Sequence, residues 1–443
     1  MSQGSVRRVG LLAALGLMYA SACGGPYGTE DYVARIGPGM FLLLLFVTPW
    51  LWGVPTALAT AELSNRYPVA GGYYKWAQAY LGEFWAYQQG MWNLLSSLLD
   101  NALYPVLFAR AVEHMVPEIF GPRWLPSPAA LPFARWAVAT AFIAFLTFLN
   151  YRGIQIAGAT AVGLNLFLVA PLFWFVAAGV LNHNVSPLTP FLAPGINFKA
   201  GLGACLALAI WLYSGYTEVS VAAEEIEEPK RNIPLALIVL TPIVILSYAL
   251  PTIAGLMSVG GWQTWASGQF ATMGQILGGR TLGEWLFLGS AASQAVIFLS
   301  YLLWWSRLVW AMAKDGHLPS FLTALHPRYG TPHRILVIYA VLYSLMATFD
   351  FNQLLVADAW LAGAAALLLE ASLIVSRRKH GPPRDGFRVP GGMGAVWACG
   401  IVPGLTWILL LALTAQENYV LGAGALLLGP LLYIGERAIR RGG

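Results

Sequence analysis

Apolar stretches recur along this 443-residue chain from Leu11 onwards, each close to the ~20 residues that a helix needs to cross a lipid bilayer. Hydrophobic residues make up 58% of the sequence and charged residues only 10%, and the mean hydropathy is +0.64. A water-soluble domain has too little interior to bury that much apolar surface. The sequence therefore predicts an all-α polytopic membrane protein, with a single transmembrane domain over residues 1–443 and no soluble module of useful size.

Twelve membrane-spanning helices are predicted where apolar runs lie between proline, glycine and charged residues. The first is interpreted as a helix rather than a signal peptide, because no small-residue cleavage pattern fits. The predicted spans are residues 9–36, 39–62, 84–114, 131–150, 157–181, 200–226, 233–257, 282–314, 335–349, 352–374, 394–413 and 419–434.

The 25 lysine and arginine residues divide unequally between the two sides of this topology. If both termini lie in the cytoplasm, the outer side keeps only six of them: Arg35, Arg110, Arg123, Arg135, Lys199 and Arg280. An excess of cations on the cytoplasmic side is the positive-inside rule. We therefore expect a multi-pass protein of the cytoplasmic (inner or plasma) membrane with both termini inside. Its net charge of +5 then needs no nucleic acid partner.

The first predicted span carries helix-breaking residues in its middle, at positions 21–28. Gly24, Gly25 and Gly28 remove side-chain constraint there, and Pro26 removes a backbone donor. Unpaired backbone at membrane depth is tolerated only where it is buried in protein or lines a wet cavity. The break therefore predicts a binding site, while close helix packing is the alternative explanation of a glycine cluster.

The sixth predicted span has a weaker interruption at residues 211–217, where helix packing explains Ser214 and Gly215 equally well. Interrupted helices at matching positions of two halves are typical of inverted-repeat transporters with a site at the membrane midplane. The predicted repeats cover about residues 9–181 and 200–374, and peripheral helices follow at about 394–434. Helix N-termini at the breaks suit a carboxylate and carbonyl ends suit an ammonium group, so a zwitterion would match both.

Several segments spread along the chain carry a family resemblance. The chain resembles the amino acid-polyamine-organocation (APC) superfamily of permeases at residues 61–63 (AEL), 68–76 (PVAGGYYKW), 223–225 (AEE), 228–234 (EPKRNIP), 306–307 (SR) and 312–319 (MAKDGHLP). Residues 24–31 (GGPYGTED), 100–105 (DNALYP), 369–371 (LEA) and 387–390 (FRVP) look like its branch of polyamine uptake transporters and their amino acid-transporting relatives. The resemblance implies the LeuT-like APC fold, in which ten helices form a 5+5 inverted repeat with broken helices 1 and 6, and two helices are peripheral.

By position, the resemblance also implies which residues line the substrate site. They are Cys23, Gly24, Gly25, Tyr27 and Gly28 at the first break, and Tyr213, Ser214, Gly215, Tyr216 and Thr217 at the second. Trp211 falls where family members place an aromatic gate. Many cation-selective relatives have an acidic residue at the position of Thr217, whereas here Glu218 follows, turned by ~100° on a helix. This difference argues against specificity for polyamines or other cations.

Ionisable groups inside a span are costly, so each is a hypothesis for a functional site. Asp100, beside Asn101 in the third span, is predicted to face the cavity and to bind an ammonium group or relay a proton. A buried carboxylate that accepts hydrogen bonds from a neighbouring helix is the alternative. Glu370 in the tenth span fits either a cavity or a structural pair, and Asp358 is placed near the outer end.

Further candidates concern gating and ion coupling. Glu30 and Asp31 stand in the first turn after the break, where they either stabilise the helix dipole or attract cations. Glu218 either faces the substrate or pairs with another helix. The remaining candidates are Arg66, Glu224, Glu225 and Arg307, which could close an inner gate or be solvated, and Ser290 and Ser293, whose hydroxyls could bind sodium.

The histidines are scattered, and neither an HExxH nor a GxSxG motif occurs, so an enzyme is not expected. No metal or other cofactor is expected, and the coupling ion, proton or sodium, stays open. The sequence thus predicts a secondary active transporter for amino acids or polyamines that works by alternating access, as a monomer or homodimer in the lipid bilayer. The alternatives are a neutral amino acid exchanger and a non-transporting sensor on the same fold.

Overall fold

The computed structural model describes residues 8–121, 127–266, 268–348, 351–413 and 419–442. Arg123 of the predicted outer cations and residue 349, the end of the ninth predicted span, lie outside these ranges. The described residues form helices and loops, with no β-strand among them. The α-helices are α1 Leu11–Ala22, α2 Glu30–Ile36, α3 Pro38–Thr48, α4 Val54–Arg66, α5 Gly72–Leu81, α6 Glu83–Asn101, α7 Leu103–Met115, α8 Leu131–Tyr151, α9 Ile154–Leu181, α10 Phe198–Leu212, α11 Pro229–Ser258, α12 Gln269–Lys314, α13 His333–Met346, α14 Phe351–His380, α15 Gly392–Leu413 and α16 Tyr419–Gly442.

Within the described ranges, seven helical segments are long and apolar enough to cross a membrane. They are Pro38–Arg66, Leu131–Tyr151, Ile154–Leu181, Pro229–Ser258, Gln269–Lys314, Asp358–His380 and Gly392–Leu413. α1, α10 and α13 are apolar but shorter. Two of these, α1 and α10, are short because they are the first halves of the spans predicted to be broken. The all-helical fold is as predicted, whereas twelve spans and an inverted repeat stay predictions.

Large apolar side chains cover the outer surface of the bundle. Phe173 on α9 is 73% exposed, and Leu345 on α13 and Ile408 on α15 are exposed by more than half. Such a surface is unfavourable in water and suits contact with lipid chains. The bundle is thus apolar on the outside, and its buried polar groups are free to surround an interior site.

The first predicted break is present at the expected residues. α1 ends at Ala22, residues 23–29 are non-helical, and α2 begins at Glu30. Gly25 has a φ of 86°, a left-handed conformation that glycine adopts without strain. A Cβ at Gly24 would lie 2.6 Å from Ser293 Oγ on α12, so the chain passes this helix too closely for a side chain. The glycines therefore serve both the turn and the packing.

The second break differs from its prediction beyond residue 217. α10 ends at Leu212 and the chain continues as a 3₁₀ helix over Glu218–Glu225, rather than as an α-helix to residue 226. Carbonyl groups of this segment bind neighbouring elements instead of their own helix. Val221 O accepts from Gly71 N at 2.9 Å, and Glu225 O accepts from Val9 N at 2.9 Å. The Val221 carbonyl thus binds Gly71 rather than Glu225 N, its partner in an α-helix, and Pro229 has no N–H to offer the Glu225 carbonyl.

The two breaks contact each other directly. Gly215 has a φ of 85°, and a Cβ at this position would collide with the carbonyl oxygen of Ser21 at the end of α1. Tyr301 on α12 donates its hydroxyl to the same Ser21 carbonyl at 2.8 Å. This bond satisfies one backbone acceptor that the end of α1 would otherwise leave unpaired. The breaks and α12 thus form one packed unit.

A π turn at Pro49–Gly53 joins α3 to α4 in one long helical segment. Gly53 lies against the second break, since a Cβ there would lie 3.2 Å from Tyr213 Cβ. The turn aims Trp52 at the break, where its Nε1 donates to Ser214 Oγ at 3.1 Å. Single π turns of this kind are frequent at functional sites. This feature was not predicted from the sequence.

Ion pairs join segments at the end of the bundle where the predicted inner cations collect. They are Arg377–Glu62 at 2.5 Å, Arg307–Glu225 at 2.7 Å and Lys75–Asp315 at 2.5 Å. Burial opposes ionisation of Asp315, but hydrogen bonds from Lys75 and Tyr74 outweigh it and hold the pKa of Asp315 below its ordinary value. The Lys75–Asp315 pair therefore persists well below neutral pH.

We expect Glu62→Gln to lower the thermal unfolding midpoint in detergent micelles. The Glu62 side chain is 0% exposed and binds Arg377, which is 6% exposed, and it also accepts from Val389 N at 2.8 Å. Breaking a buried pair from one side leaves an unpaired buried charge and costs about 3–5 kcal/mol. Glu284→Gln is the control, because its pair with Arg280 is exposed on both sides. Equal losses in both variants would contradict the prediction.

Candidate functional site

A polar cavity lies where the second break meets α4, α6, α12 and α14, and we call it the central cavity. Its polar and aromatic lining consists of Trp52, Thr56, Gln89, Asn93, Ser96, Asp100, Trp211, Ser214, Thr217, Glu218, Tyr301, Trp305 and Asp358. Its small side chains are those of Ala207, Gly215, Ala359, Ala362, Ala365 and Ala366. Within the described residues, the lining contains no lysine, arginine or histidine. The lining of the cavity therefore favours binding of a positively charged group.

Three carboxylates from three different elements face this cavity: Asp100 on α6, Glu218 at the start of the 3₁₀ helix and Asp358 on α14. Each is at most 5% exposed. They lie close enough for Asp358 to interact electrostatically with both of the others. Buried carboxylates without a cationic partner are costly, so their grouping is unfavourable unless a cation or protons occupy the site.

Hydrogen bonds fix the position of each carboxylate. Glu218 accepts from the Thr217 hydroxyl at 3.0 Å and from the Tyr73 hydroxyl at 3.3 Å. Asp358 accepts from the Ser96 hydroxyl. None of these donors is charged, so they orient the carboxylates without neutralising them.

Trp211 forms a wall of the central cavity through its contact with Asp100. Its Nε1 donates to Asp100 Oδ1 at 2.8 Å, and the Tyr104 hydroxyl donates to both carboxylate oxygens at 3.2 Å. The Trp211 and Tyr104 rings are stacked, with centroids 6.4 Å apart and an interplanar angle of 18°. Asp100 thus holds two aromatic side chains in one fixed arrangement.

A second cavity lies on the other side of this wall, and Trp211 and Tyr104 line it as well. The first break contributes Gly24, Gly25, Tyr27 and Gly28 to this second cavity, α2 contributes Asp31, Tyr32 and Arg35, and α12 contributes Ser293, Gln294 and Ile297. Trp211 belongs to both cavities. The residues predicted at the first break are therefore separated by an aromatic side chain from the three carboxylates.

The predicted site residues divide among three places. Asp100, Trp211, Ser214, Gly215, Thr217 and Glu218 line the central cavity. Gly24, Gly25, Tyr27, Gly28, Asp31 and Ser293 line the second cavity. Outside both lining sets are Cys23, Asn101, Tyr213, Tyr216, Glu30, Ser290 and Glu370. Tyr213 has a structural contact instead, since its hydroxyl donates to Leu45 O at 2.7 Å.

Glu30 occupies the helix N-terminus that was predicted to attract a substrate carboxylate. Its Oε2 accepts from Gly28 N at 2.7 Å, and the residue is 1% exposed. Asp31 pairs with Arg35 at 2.8 Å. The donor at the start of α2 therefore already binds a carboxylate of the protein itself.

Glu370 does not line either cavity, although the adjacent Leu369 lines the central one. It is 1% exposed on α14, close to Gly400 on α15. Thr56, which lines the central cavity, interacts with the Glu370 carboxylate. Both explanations from the sequence, a cavity role and a structural pair, stay predictions.

The predicted inner-gate residues make separate contacts. Arg307 binds Glu225 through two hydrogen bonds, at 2.7 and 3.1 Å. Glu224 Oε1 accepts from Ala70 N at 3.1 Å, while Arg66 donates to the Gly381 carbonyl. One pair, Arg307–Glu225, thus links α12 to the segment after the second break.

Sequence reasoning did not assign Ser96, Trp52, Tyr301, Trp305 or Asp358 to the site. Asp358 was expected near the outer end of its span, which stays a prediction, and it lines the central cavity. A carboxylate in an apolar span followed by alanines at 359, 362, 365 and 366 was the signal that could have found it. The alanines mark the helix face that leaves room for a cavity.

Within the described ranges, no group of three or more His, Cys, Asp or Glu side chains is placed to hold a metal ion. The three cysteines, Cys23, Cys205 and Cys399, are buried and form no disulfide bond. The site therefore offers hydrogen bonds, negative charge and aromatic faces as its means of binding.

Apolar helices around a polar interior cavity, with two broken helices in contact at its wall, define a membrane transporter of small molecules. The family model for amino acid permeases matches residues 9–423. The chain therefore belongs to the amino acid permease family, within the APC superfamily. The resemblance stated from the motifs is confirmed.

Curated relatives agree with this family. Polyamine transporter PUT1 of Oryza sativa subsp. japonica is 30% identical over 438 residues, which cover 99% of this chain and 80% of that protein. Polyamine transporter RMV1 of Arabidopsis thaliana is 29% identical over 431 residues, covering 96% and 85%. An uncharacterized transporter of Mycobacterium tuberculosis is 27% identical over 435 residues, covering 98% and 93%. The chain is thus a multi-pass membrane transporter and not an enzyme.

Proposed function

We propose that this protein is a secondary transporter that moves linear polyamines across the cytoplasmic membrane by alternating access. The observation that carries the proposal is the grouping of Asp100, Glu218 and Asp358 in one cavity whose described lining has no cationic side chain. Ammonium groups neutralise such carboxylates with charge-assisted hydrogen bonds. A polyamine carries two or more of them along one flexible chain.

The other walls of the central cavity fit the methylene segments between the ammonium groups. Trp52, Trp211, Tyr301 and Trp305 supply aromatic faces, which attract cations and cover apolar groups. Tyr301 and Trp305 are stacked with centroids 4.3 Å apart. The alanines of α14 leave space along the opposite wall. Charge and shape thus favour an elongated cation.

A zwitterionic amino acid fits the central cavity less well, because its carboxylate would meet three carboxylates and no cation. The helix N-terminus at Glu30 is already occupied by a protein carboxylate. The argument against polyamines from the position of Glu218 assumed an α-helix, whereas residues 213–217 are non-helical and Glu218 faces the cavity. A neutral amino acid exchanger stays the second candidate, because the second cavity borders the glycines of the first break.

Alternating access requires that the site open to one side at a time. Trp211 separates the two cavities, and the Arg307–Glu225 pair links α12 to the 3₁₀ helix after the second break. We propose that Trp211 closes the site on one side and this pair closes it on the other, with both termini in the cytoplasm. The relatives from Oryza sativa and Arabidopsis thaliana that are named polyamine transporters support the choice of substrate.

Transport by purified protein in proteoliposomes tests the proposal. Vesicles would be offered labelled putrescine, spermidine, arginine, leucine or serine, with a pH gradient, with a sodium gradient and without either. We expect saturable uptake of spermidine and putrescine that unlabelled polyamine suppresses. Uptake of leucine or serine without uptake of polyamines would reject the polyamine proposal in favour of the exchanger.

We expect Asp358→Asn to reduce uptake of spermidine by about 10-fold and uptake of putrescine much less. A triamine presents three ammonium groups to the three carboxylates, whereas a diamine is satisfied by Asp100 and Glu218. Competition between the two polyamines in the same proteoliposomes measures the ratio. Asparagine keeps the oxygen that accepts from Ser96, so a change in the ratio reports charge. An equal loss for both substrates would show that Asp358 does not bind the third ammonium group of spermidine.

A further inference from the structure

A basic pocket lies at the cationic end of the bundle, away from both cavities. It is formed by the end of α4, the start of α11 and the loop after α14. Its cationic side chains are Arg66, Lys230, Arg231 and Arg384, His380 adds an imidazole ring, and its one described acidic side chain is Asp385. Asn65 anchors the loop, since its Nδ2 donates to Asp385 O at 2.8 Å and to Phe387 O at 3.1 Å. The pocket is therefore built by packed elements.

The positive charge of this pocket is largely unneutralised. Among the described residues, neither Lys230 nor Arg384 has a carboxylate within ion-pair distance, and Arg66 Nε is buried without a hydrogen-bond partner. Arg231 has only an exposed contact with Glu228 at 3.4 Å. α11 has no acidic residue in its first turn, but Glu228 occupies its N-cap position, so the positive charge of the pocket comes from its side chains. These groups together favour an anion.

One wall of the pocket is apolar and open to the surroundings of the bundle. Pro234, Leu235 and Ile238 of α11 line it, and Leu235 is 39% and Ile238 50% exposed. An apolar groove between α1, α9 and α11 begins at the next residue, Val239, and continues to Leu250. The basic pocket therefore leads directly onto a surface that lipid chains would cover.

We propose that this pocket binds the headgroup of an anionic phospholipid, whose acyl chains lie along α11. Basic pockets between membrane helices on the cytoplasmic side suit anionic headgroups, and the excess of cations assigns this end to the cytoplasm. A free phosphate would use the cations but not the apolar wall. A zwitterionic lipid would use the apolar wall, but its headgroup carries no net negative charge for the cations to neutralise.

Thermal unfolding of the detergent-solubilised protein tests the proposal without any transport assay. The protein would be titrated with dioleoyl phosphatidylglycerol, dioleoyl phosphatidylcholine or sodium phosphate, and the unfolding midpoint measured by tryptophan fluorescence. A ligand that binds only the folded state raises the midpoint. We expect a saturable rise with phosphatidylglycerol, and much smaller effects of phosphatidylcholine and phosphate. An equal rise with phosphatidylcholine, or with phosphate alone, would overturn the proposal.

The double variant Lys230→Gln/Arg384→Gln is expected to bind phosphatidylglycerol about 10- to 30-fold more weakly. Each lysine or arginine near an anionic headgroup strengthens binding, and this variant removes two of them. Lys314→Gln/Arg437→Gln is the matched control. It removes the same charge from residues that lie over the rings of Trp310 and Tyr433, outside the pocket. Unchanged binding by the first variant, or an equal loss in the second, would overturn the assignment of the site. The melting midpoints without lipid show whether each variant is folded.

Discussion

Asp100→Asn is expected to lower spermidine uptake into proteoliposomes by about 100-fold, because a buried ammonium group would lose its charged partner. Asp100 is 4% exposed and lies at the wall between the two cavities. Asparagine has nearly the same shape and keeps one oxygen that accepts from Trp211 Nε1. The aromatic wall therefore stays in place in this variant, and the charge is what changes.

Initial rates over a range of spermidine concentrations check this expectation. The loss is expected mainly as a higher KM, since the interaction is made with bound substrate. Asp100→Glu, which keeps the charge, is expected to retain more activity than Asp100→Asn. Glu284→Gln removes a carboxylate from an exposed pair far from the cavities and serves as the control. If Asp100→Asn transported spermidine at the unaltered rate, the carboxylate would have no part in binding the substrate.

The position of the first break could be predicted from the sequence because its cause is local. Gly24, Gly25, Pro26 and Gly28 disfavour a helix whatever surrounds them, and the chain is non-helical over residues 23–29. Apolar span length and cation asymmetry are likewise properties of the chain alone. Family membership followed from motifs that are spread over its length.

The other residues of the central cavity could not be predicted in the same way, because their positions depend on tertiary contacts. The helical-wheel argument about Glu218 assumed an α-helix through the break, whereas residues 213–217 are non-helical and both Thr217 and Glu218 line the central cavity. Nothing in the sequence pairs Asp358 with Ser96, which lie 262 positions apart. The π turn that aims Trp52 at Ser214 also has no local signature. Each of these features depends on the direction in which a side chain faces.

The separation of the two cavities by Trp211 changes how the site is understood. The sequence placed the residues of both breaks around one substrate, with helix ends for a zwitterion. In the structure, Glu30 occupies the helix end at the first break, and the carboxylates gather beyond Trp211. Asp100 binds Trp211 Nε1 through Oδ1, and a carboxylate accepts further hydrogen bonds. Under the proposed function, the same carboxylate therefore holds the aromatic wall and binds the ammonium group beside it.

Gly215→Ala is expected to abolish spermidine uptake. The φ of 85° at Gly215 disfavours any side chain, and a Cβ there would collide with the Ser21 carbonyl oxygen. Relief of this contact requires the two breaks to separate, which would also disturb the bond from the Tyr301 hydroxyl to Ser21. Strained backbone of this kind costs about 1–3 kcal/mol before the collision is counted. Both the wall of the central cavity and the contact between the breaks would change.

A matched substitution separates this effect from a general loss of folding. Gly195 also has a positive φ, of 73°, but a Cβ there would meet no atom within 4 Å. Gly195→Ala therefore carries backbone strain without the collision, and we expect it to transport spermidine at a rate within about 3-fold of the unaltered protein. Size-exclusion chromatography and thermal unfolding would show whether Gly215→Ala is folded. Full transport by a folded Gly215→Ala protein would contradict the claim that close contact between the breaks is needed for function, because the added methyl group cannot fit while Ser21 and Gly215 stay in place.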